Sequence, residues 1–212
     1  MALNIVIFIL PFVGIDEEML YELGVNFGPY VVLGGEVWRL LTSMFMHGDG
    51  IHLAMNMFAL YLLGQSVEPI FPKLHYILLY FISGLFGGLV SIYFHPTTLG
   101  LGASGAIFGL FGVLIGFAIL HREHIGLEFK QFAKQIGVIL GINLLFGLVV
   151  PNVDLSAHIG GLIIGFIGGL VVSKDLRNIW LFAIVALLIM GLQYNYLFDL
   201  YVDISKVLYE QH

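Results

Sequence analysis

Long apolar runs separated by short polar joints set the pattern of this chain. Seven apolar segments stand out, at roughly 1–14, 51–67, 74–94, 104–120, 132–150, 155–173 and 178–197. Most approach the roughly 20 residues an α-helix needs to cross a hydrocarbon core about 30 Å thick, and the first and fourth are shorter. The pattern predicts an all-α integral membrane protein of seven transmembrane helices, built as a single domain over 1–212. The joint over 15–50 is long for a connection. It holds Gly, Pro, aromatics and the apolar string "EVWRLLTSMFM", and is expected to fold on, or partly in, the outer leaflet.

Composition agrees with the pattern. Of 212 residues, 59% are hydrophobic and 10% charged, and the mean hydropathy is +1.00. Soluble domains have roughly 45–50% apolar and about 25% charged residues. There is no nucleic-acid signature. The absence of cysteine excludes disulfides, thiolate chemistry and zinc–thiolate sites.

The charges divide by membrane side. Lys73, Arg122, Lys130, Lys134, Lys174 and Arg177 lie in the second, fourth and sixth connections, whereas the other side holds only Arg39 and Lys206. Basic residues favour the cytoplasm, which puts the N-terminus inside and the C-terminus outside. "MALNIVIFILPFVG" lacks a basic region and a cleavage site, so it is expected to be a membrane helix rather than a signal peptide. With the compact loops, it points to a prokaryotic plasma membrane. No repeat of clear period supports an inverted-repeat transporter.

Polar residues inside membrane segments are costly and are functional candidates by default. Four matter here: His52 and Asn56 in the second segment, Ser104 in the fourth and His158 in the sixth. At about 1.5 Å per residue, Ser104 stands about 27 Å from Arg122, His158 about 24 Å from Lys174, and His52 about 24 Å from Glu68. All three segments run inward, so these residues share the outer half of the membrane.

Glycines suggest which helices touch. Gly105, Gly109, Gly112 and Gly116 form one face of the fourth segment, and Gly161, Gly165 and Gly169, headed by His158, one face of the sixth. Faces of small residues let membrane helices approach closely. Such packing would bring a hydroxyl and an imidazole together. His52 and Asn56, at i and i+4, would add donors on one face, beside the free N–H groups at the start of the fourth helix.

Plainer readings stand beside these. A membrane serine usually packs or bonds its own backbone, a membrane histidine is often structural, and glycine faces alone mean only close packing. Asp154 could orient His158, but in "PNVDLSAH" it reads better as a helix N-cap. His121 and His124 are expected to be solvated. His47, His52 and His158 could be taken as a metal set, but no H-E-x-x-H and no carboxylate cluster supports one. A channel or transporter with a His- and Asn-lined polar path is the competing class.

Taken together, "GASG", "AHIGGLIIG", "HLAMN" and the "WR" of the long joint resemble the rhomboid intramembrane serine proteases. The resemblance runs from the long first loop through the sixth segment, and the extra seventh resembles the six-plus-one form. It implies a rhomboid-like six-helix bundle plus a C-terminal helix, and cleavage of transmembrane protein substrates within the lipid bilayer near its outer leaflet. It implies no cofactor, metal or nucleic-acid partner. Ser104 would be the nucleophile, and His158 the general base and acid. His52, Asn56 and the Ser104 N–H would form the oxyanion hole. Gly102 and Gly105, which flank the serine in its motif, and Gly161 would support the site. Trp38, Arg39 and Glu68 match structural positions. Phe108 stands where some members carry Tyr, so its ring would stack on His158 without a phenol to bond.

Overall fold

A computed structural model describes residues 1–125, 127–149 and 153–210, and among these the regular structure is helical. The first apolar run forms α1 (Ala2–Ile9), then tightens at Pro11 into a 3₁₀ turn, Leu10–Val13, closed by a left-handed Gly14. The long joint folds into three short helices, α2 (Glu17–Gly24), α3 (Gly28–Val32) and α4 (Arg39–Thr42), and a 3₁₀ turn over Ser43–Phe45. The remaining helices are α5 (Gly50–Val67), α6 (Lys73–Phe94), α7 (Ser104–Leu120), α8 (Arg122–Ile125), α9 (Leu127–Val149), α10 (Leu155–Lys174) and α11 (Asn178–Glu210).

Side chains explain several starts. Asp16 accepts from the Glu18 N–H, Asp49 from the His52 N–H and Asp154 from the Ala157 N–H, each filling a donor that a helix N-terminus leaves unpaired. Pro72 precedes α6, at a position where its missing N–H costs nothing.

Helices α6, α10 and the Asn178–Ile204 part of α11 are long and apolar enough to cross a membrane, while α7 and Ala2–Val13 are shorter apolar helices. Two boundaries differ from the sequence expectation. Helix α9 starts at Leu127, so Lys130 and Lys134 lie in its first turns rather than in a connection. Helix α11 runs on well beyond 197, because Leu197 and Tyr201 are buried and keep its far end docked despite Asp199 and Asp203. The expected end of the fifth segment, at 150, lies outside the described residues.

Helix α7 sits at the centre, with most of its side chains buried. Its contact with α10 is a backbone zipper. Cβ atoms at Gly161, Gly165 and Gly169 would meet the carbonyl oxygens of Gly105, Gly109 and Val113 at 2.0, 2.1 and 2.4 Å. In return, Cβ atoms at Gly112 and Gly116 would meet the Leu162 and Phe166 oxygens at 2.2 and 2.5 Å. Only glycine permits this approach. Lipid tails are as apolar as leucine, so dispersion and weak Cα–H···O contacts, rather than apolar burial, hold such helices together.

Candidate active site

The zipper ends at the N-termini of α7 and α10, where Ser104 opens α7 and His158 lies in the first turn of α10. The Ser104 Oγ is 2.8 Å from His158 Nε2, a good length for an O–H donor to a neutral ring nitrogen. With Nε2 accepting, Nδ1 carries the ring proton, and Nδ1 is buried without a hydrogen-bond partner among the described residues. Orientation comes from a stack instead: the Phe108 ring lies parallel to the imidazole, with centroids 4.1 Å apart and planes 6° apart. Phe108 is one turn beyond Ser104, so α7 supplies both the hydroxyl and the surface on which its partner rests.

Asp154 does not reach that imidazole. Its carboxylate accepts from the Ala157 N–H at 3.0 Å and from the Ser156 hydroxyl at 2.5 Å. It caps α10.

Gly102 shapes the approach to the serine. Its φ of +115° suits glycine. A Cβ there would lie 2.8 Å from His52 Nε2 and 3.9 Å from Ser104 Oγ. The imidazole tip of His52 and the Ser104 hydroxyl therefore flank one small volume, left open because position 102 has no side chain. Asn56 is buried one turn below His52, and one of its amide hydrogens goes to the His52 carbonyl at 3.0 Å. The second amide hydrogen remains for the site. The first N–H groups of α7 lack intrahelical acceptors, and the first of them belongs to Ser104.

The other histidines divide. The His47 ring packs edge-on against His52 at 5.0 Å. It lies in the joint before α5, and burial, with the neighbouring His52 ring, pushes its pKa down to about 4. His121 is not simply solvated: its ring stacks on Phe117 at 4.5 Å, with Nδ1 3.1 Å from the Phe117 carbonyl. The side chain of His124 lies outside the described residues. Among the described residues no three His, Asp or Glu side chains gather as a metal set would.

Loop one holds the strand of backbone that leads to Ser104. Asn26 and Gly100 exchange both backbone hydrogen bonds, at 2.9 and 2.7 Å, and the Asn26 amide reaches the Gly88 carbonyl of α6 at 3.0 Å. The Gly102 N–H donates to the Ser43 carbonyl at 2.9 Å. Arg39 keeps the loop folded from inside. It is 4% exposed, pairs with Glu36 at 2.6 Å, donates to the Val25 carbonyl and lies over the Tyr30 ring. Trp38 is half exposed. Sequence reasoning singled out Arg39 but missed Asn26 and Ser43. Their signal is a backbone pairing with a remote glycine, which no local spacing displays.

Known proteins share this arrangement of sequence. A family model described as the Rhomboid domain matches residues 34–175. RHOMBOID-like protein 6, mitochondrial, of Arabidopsis thaliana is 36% identical over 170 residues, covering 80% of this chain and 55% of that protein. Rhomboid protease GluP of Bacillus subtilis is 42% identical over 140 residues, 64% of this chain and 26% of that protein. Putative rhomboid protease YdcA of the same organism is 34% identical over 145 residues, 68% of this chain and 70% of that protein. The chain thus spans less than two thirds of the first two relatives.

Proposed function

The chain belongs to the rhomboid family, and from that premise we propose that it is an intramembrane serine endopeptidase working through a Ser104–His158 dyad. The single observation that carries the proposal is the 2.8 Å contact between Ser104 Oγ and His158 Nε2. Ser104 attacks the scissile carbonyl carbon of a substrate's transmembrane segment while its proton passes to His158 Nε2. The developing oxyanion takes hydrogen bonds from the Ser104 N–H, the His52 Nε2–H and the second Asn56 amide hydrogen. Collapse breaks the C–N bond, and the leaving amine receives the proton from His158. Water then attacks the acyl-enzyme ester, with His158 again as base, and releases Ser104.

Helix packing replaces a third catalytic group in this reading. The Phe108 stack fixes the imidazole plane, Gly161 lets α10 lie against the Gly105 carbonyl, and Gly102 leaves room for the oxyanion. Trp38, Arg39 and Glu68 hold structure away from the chemistry. We read 1–212 as one domain with seven spans, the N-terminus on the basic, cytoplasmic side of a cell membrane and the C-terminus outside. The substrate bond then lies near the outer leaflet. Family membership disfavours a channel or transporter.

The test is chemical. A fluorophosphonate probe should label wild-type protein in detergent and leave Ser104→Ala unlabelled, and the same substitution should abolish cleavage of a transmembrane substrate. Labelling that survives in Ser104→Ala, or undiminished cleavage, would overturn the proposal.

A further inference from the structure

One carbonyl at the end of α6 has no helical donor. Helix α6 ends at Phe94, and the amide that would bond the Ile92 carbonyl four residues on belongs to Pro96, which has no N–H. The hydroxyl of Tyr201, on α11, lies 3.3 Å from the Ile92 carbonyl and 3.2 Å from that of Pro96. Tyr201 is 7% exposed, and its hydroxyl occupies the place a Cβ at Gly28 would take. Two turns earlier on the same face, the Tyr194 hydroxyl lies 3.2 Å from both the Val31 and Val32 carbonyls, the open end of α3. Leu197, between them, is fully buried.

These contacts form a chain to the serine. Pro96 begins the irregular descent that ends at Ser104. Gly28 is two residues from Asn26, which pairs with Gly100 in that descent. Tyr201 therefore touches both pieces of backbone that set where α7 begins, although its own hydroxyl bonds carbonyls at 92 and 96 rather than Ser104 or His158.

We propose that Tyr201 is a positioning residue for Ser104: its hydroxyl supplies the donor that Pro96 lacks and so fixes the backbone over 96–104. Tyr194 assists by capping α3. The seventh helix thereby sets the reactivity of the site through that backbone. The inference rests on the reading of Ser104 as nucleophile.

The experiment compares wild type with Tyr201→Phe, each confirmed folded by its thermal unfolding in detergent. Loss of a hydrogen bond to buried carbonyls should lower fluorophosphonate labelling and kcat about tenfold in Tyr201→Phe, with KM for a transmembrane substrate within about twofold of wild type. Labelling of folded Tyr201→Phe at the wild-type rate, or a loss carried by KM rather than kcat, overturns the inference. Should Tyr201→Phe fail to fold, Tyr194→Phe carries the test, with slower labelling expected and a wild-type rate overturning it. Wild-type protein that takes no label condemns the protease reading instead.

Discussion

Gly161→Ala adds one methyl group, and the structure sets its consequence. The new Cβ would stand 2.0 Å from the Gly105 oxygen, whereas ordinary contact begins at 3.4 Å. The obstacle is a backbone carbonyl in the first turn of α7, so no side chain can swing away. Helix α10 must retreat from α7 by about 1.4 Å at that level. His158 is less than one turn from position 161, so the retreat carries its ring along. A 2.8 Å hydrogen bond stretched by that amount passes about 4 Å and ceases to be one. A misplacement of about 1 Å can cost about 100-fold in rate, or about 2.7 kcal/mol of barrier. Overpacking itself should cost about 1–3 kcal/mol of stability. The assay is kcat for a transmembrane substrate beside the fluorophosphonate labelling rate, both normalised to folded protein. Gly191→Ala is the control, because its Cβ would meet nothing within 4 Å. Activity of Gly161→Ala within about threefold of wild type would refute the reasoning that backbone contact at this point sets the dyad.

Other substitutions probe separate parts of the design. Phe108→Ala removes a stack worth about 0.5–1.5 kcal/mol; kcat should fall about three- to tenfold with KM unchanged, and a kcat equal to wild type would deny the ring its orienting role. Asp154→Ala should lower stability by about 1 kcal/mol through the lost cap yet leave labelling within severalfold, whereas abolished labelling in folded protein would make Asp154 a catalytic partner. His47 titrates below its ordinary 6.5, at about 4, in the folded protein. The fold thus favours its neutral ring, and the stability this gives is intact above pH 6.5 and lost as pH falls toward 4. Thermal unfolding midpoints measured across that window should fall less steeply for His47→Leu than for wild type, and equal slopes would count against burial of a neutral His47.

The local part of this architecture was readable in the chain. Glycines three and four apart in α7 and α10 define faces that need no knowledge of the partner, and Asp154 four residues before His158 sits where a cap belongs. Arg39 was legible only as half of a family motif; its burial against Tyr30 and Glu36 was not. What spacing cannot display is pairing across distance. Asn26 looks like any polar loop residue until Gly100 lies beside it. Tyr201 lies in a stretch with Asp199 and Asp203 that reads as a polar tail, because the carbonyls it serves are more than a hundred residues away. Asn56 shows a subtler limit. Its place on the His52 face follows from helical spacing, but the bond to the His52 carbonyl depends on a side-chain rotation that sequence does not encode.

The backbone zipper between α7 and α10 also bears on the surrounding lipid. Membranes of different thickness are met largely by tilting helices, at modest cost. Two helices meshed carbonyl-to-glycine along their length tilt as one body, and the distance between a group on one and a group on the other survives the tilt. Sliding is different. A shift of one residue along the axis, about 1.5 Å, would drive carbonyl oxygens against non-glycine side chains. The Ser104–His158 spacing is therefore insulated from bilayer thickness but intolerant of slip, much as a gear pair keeps its timing when its housing leans.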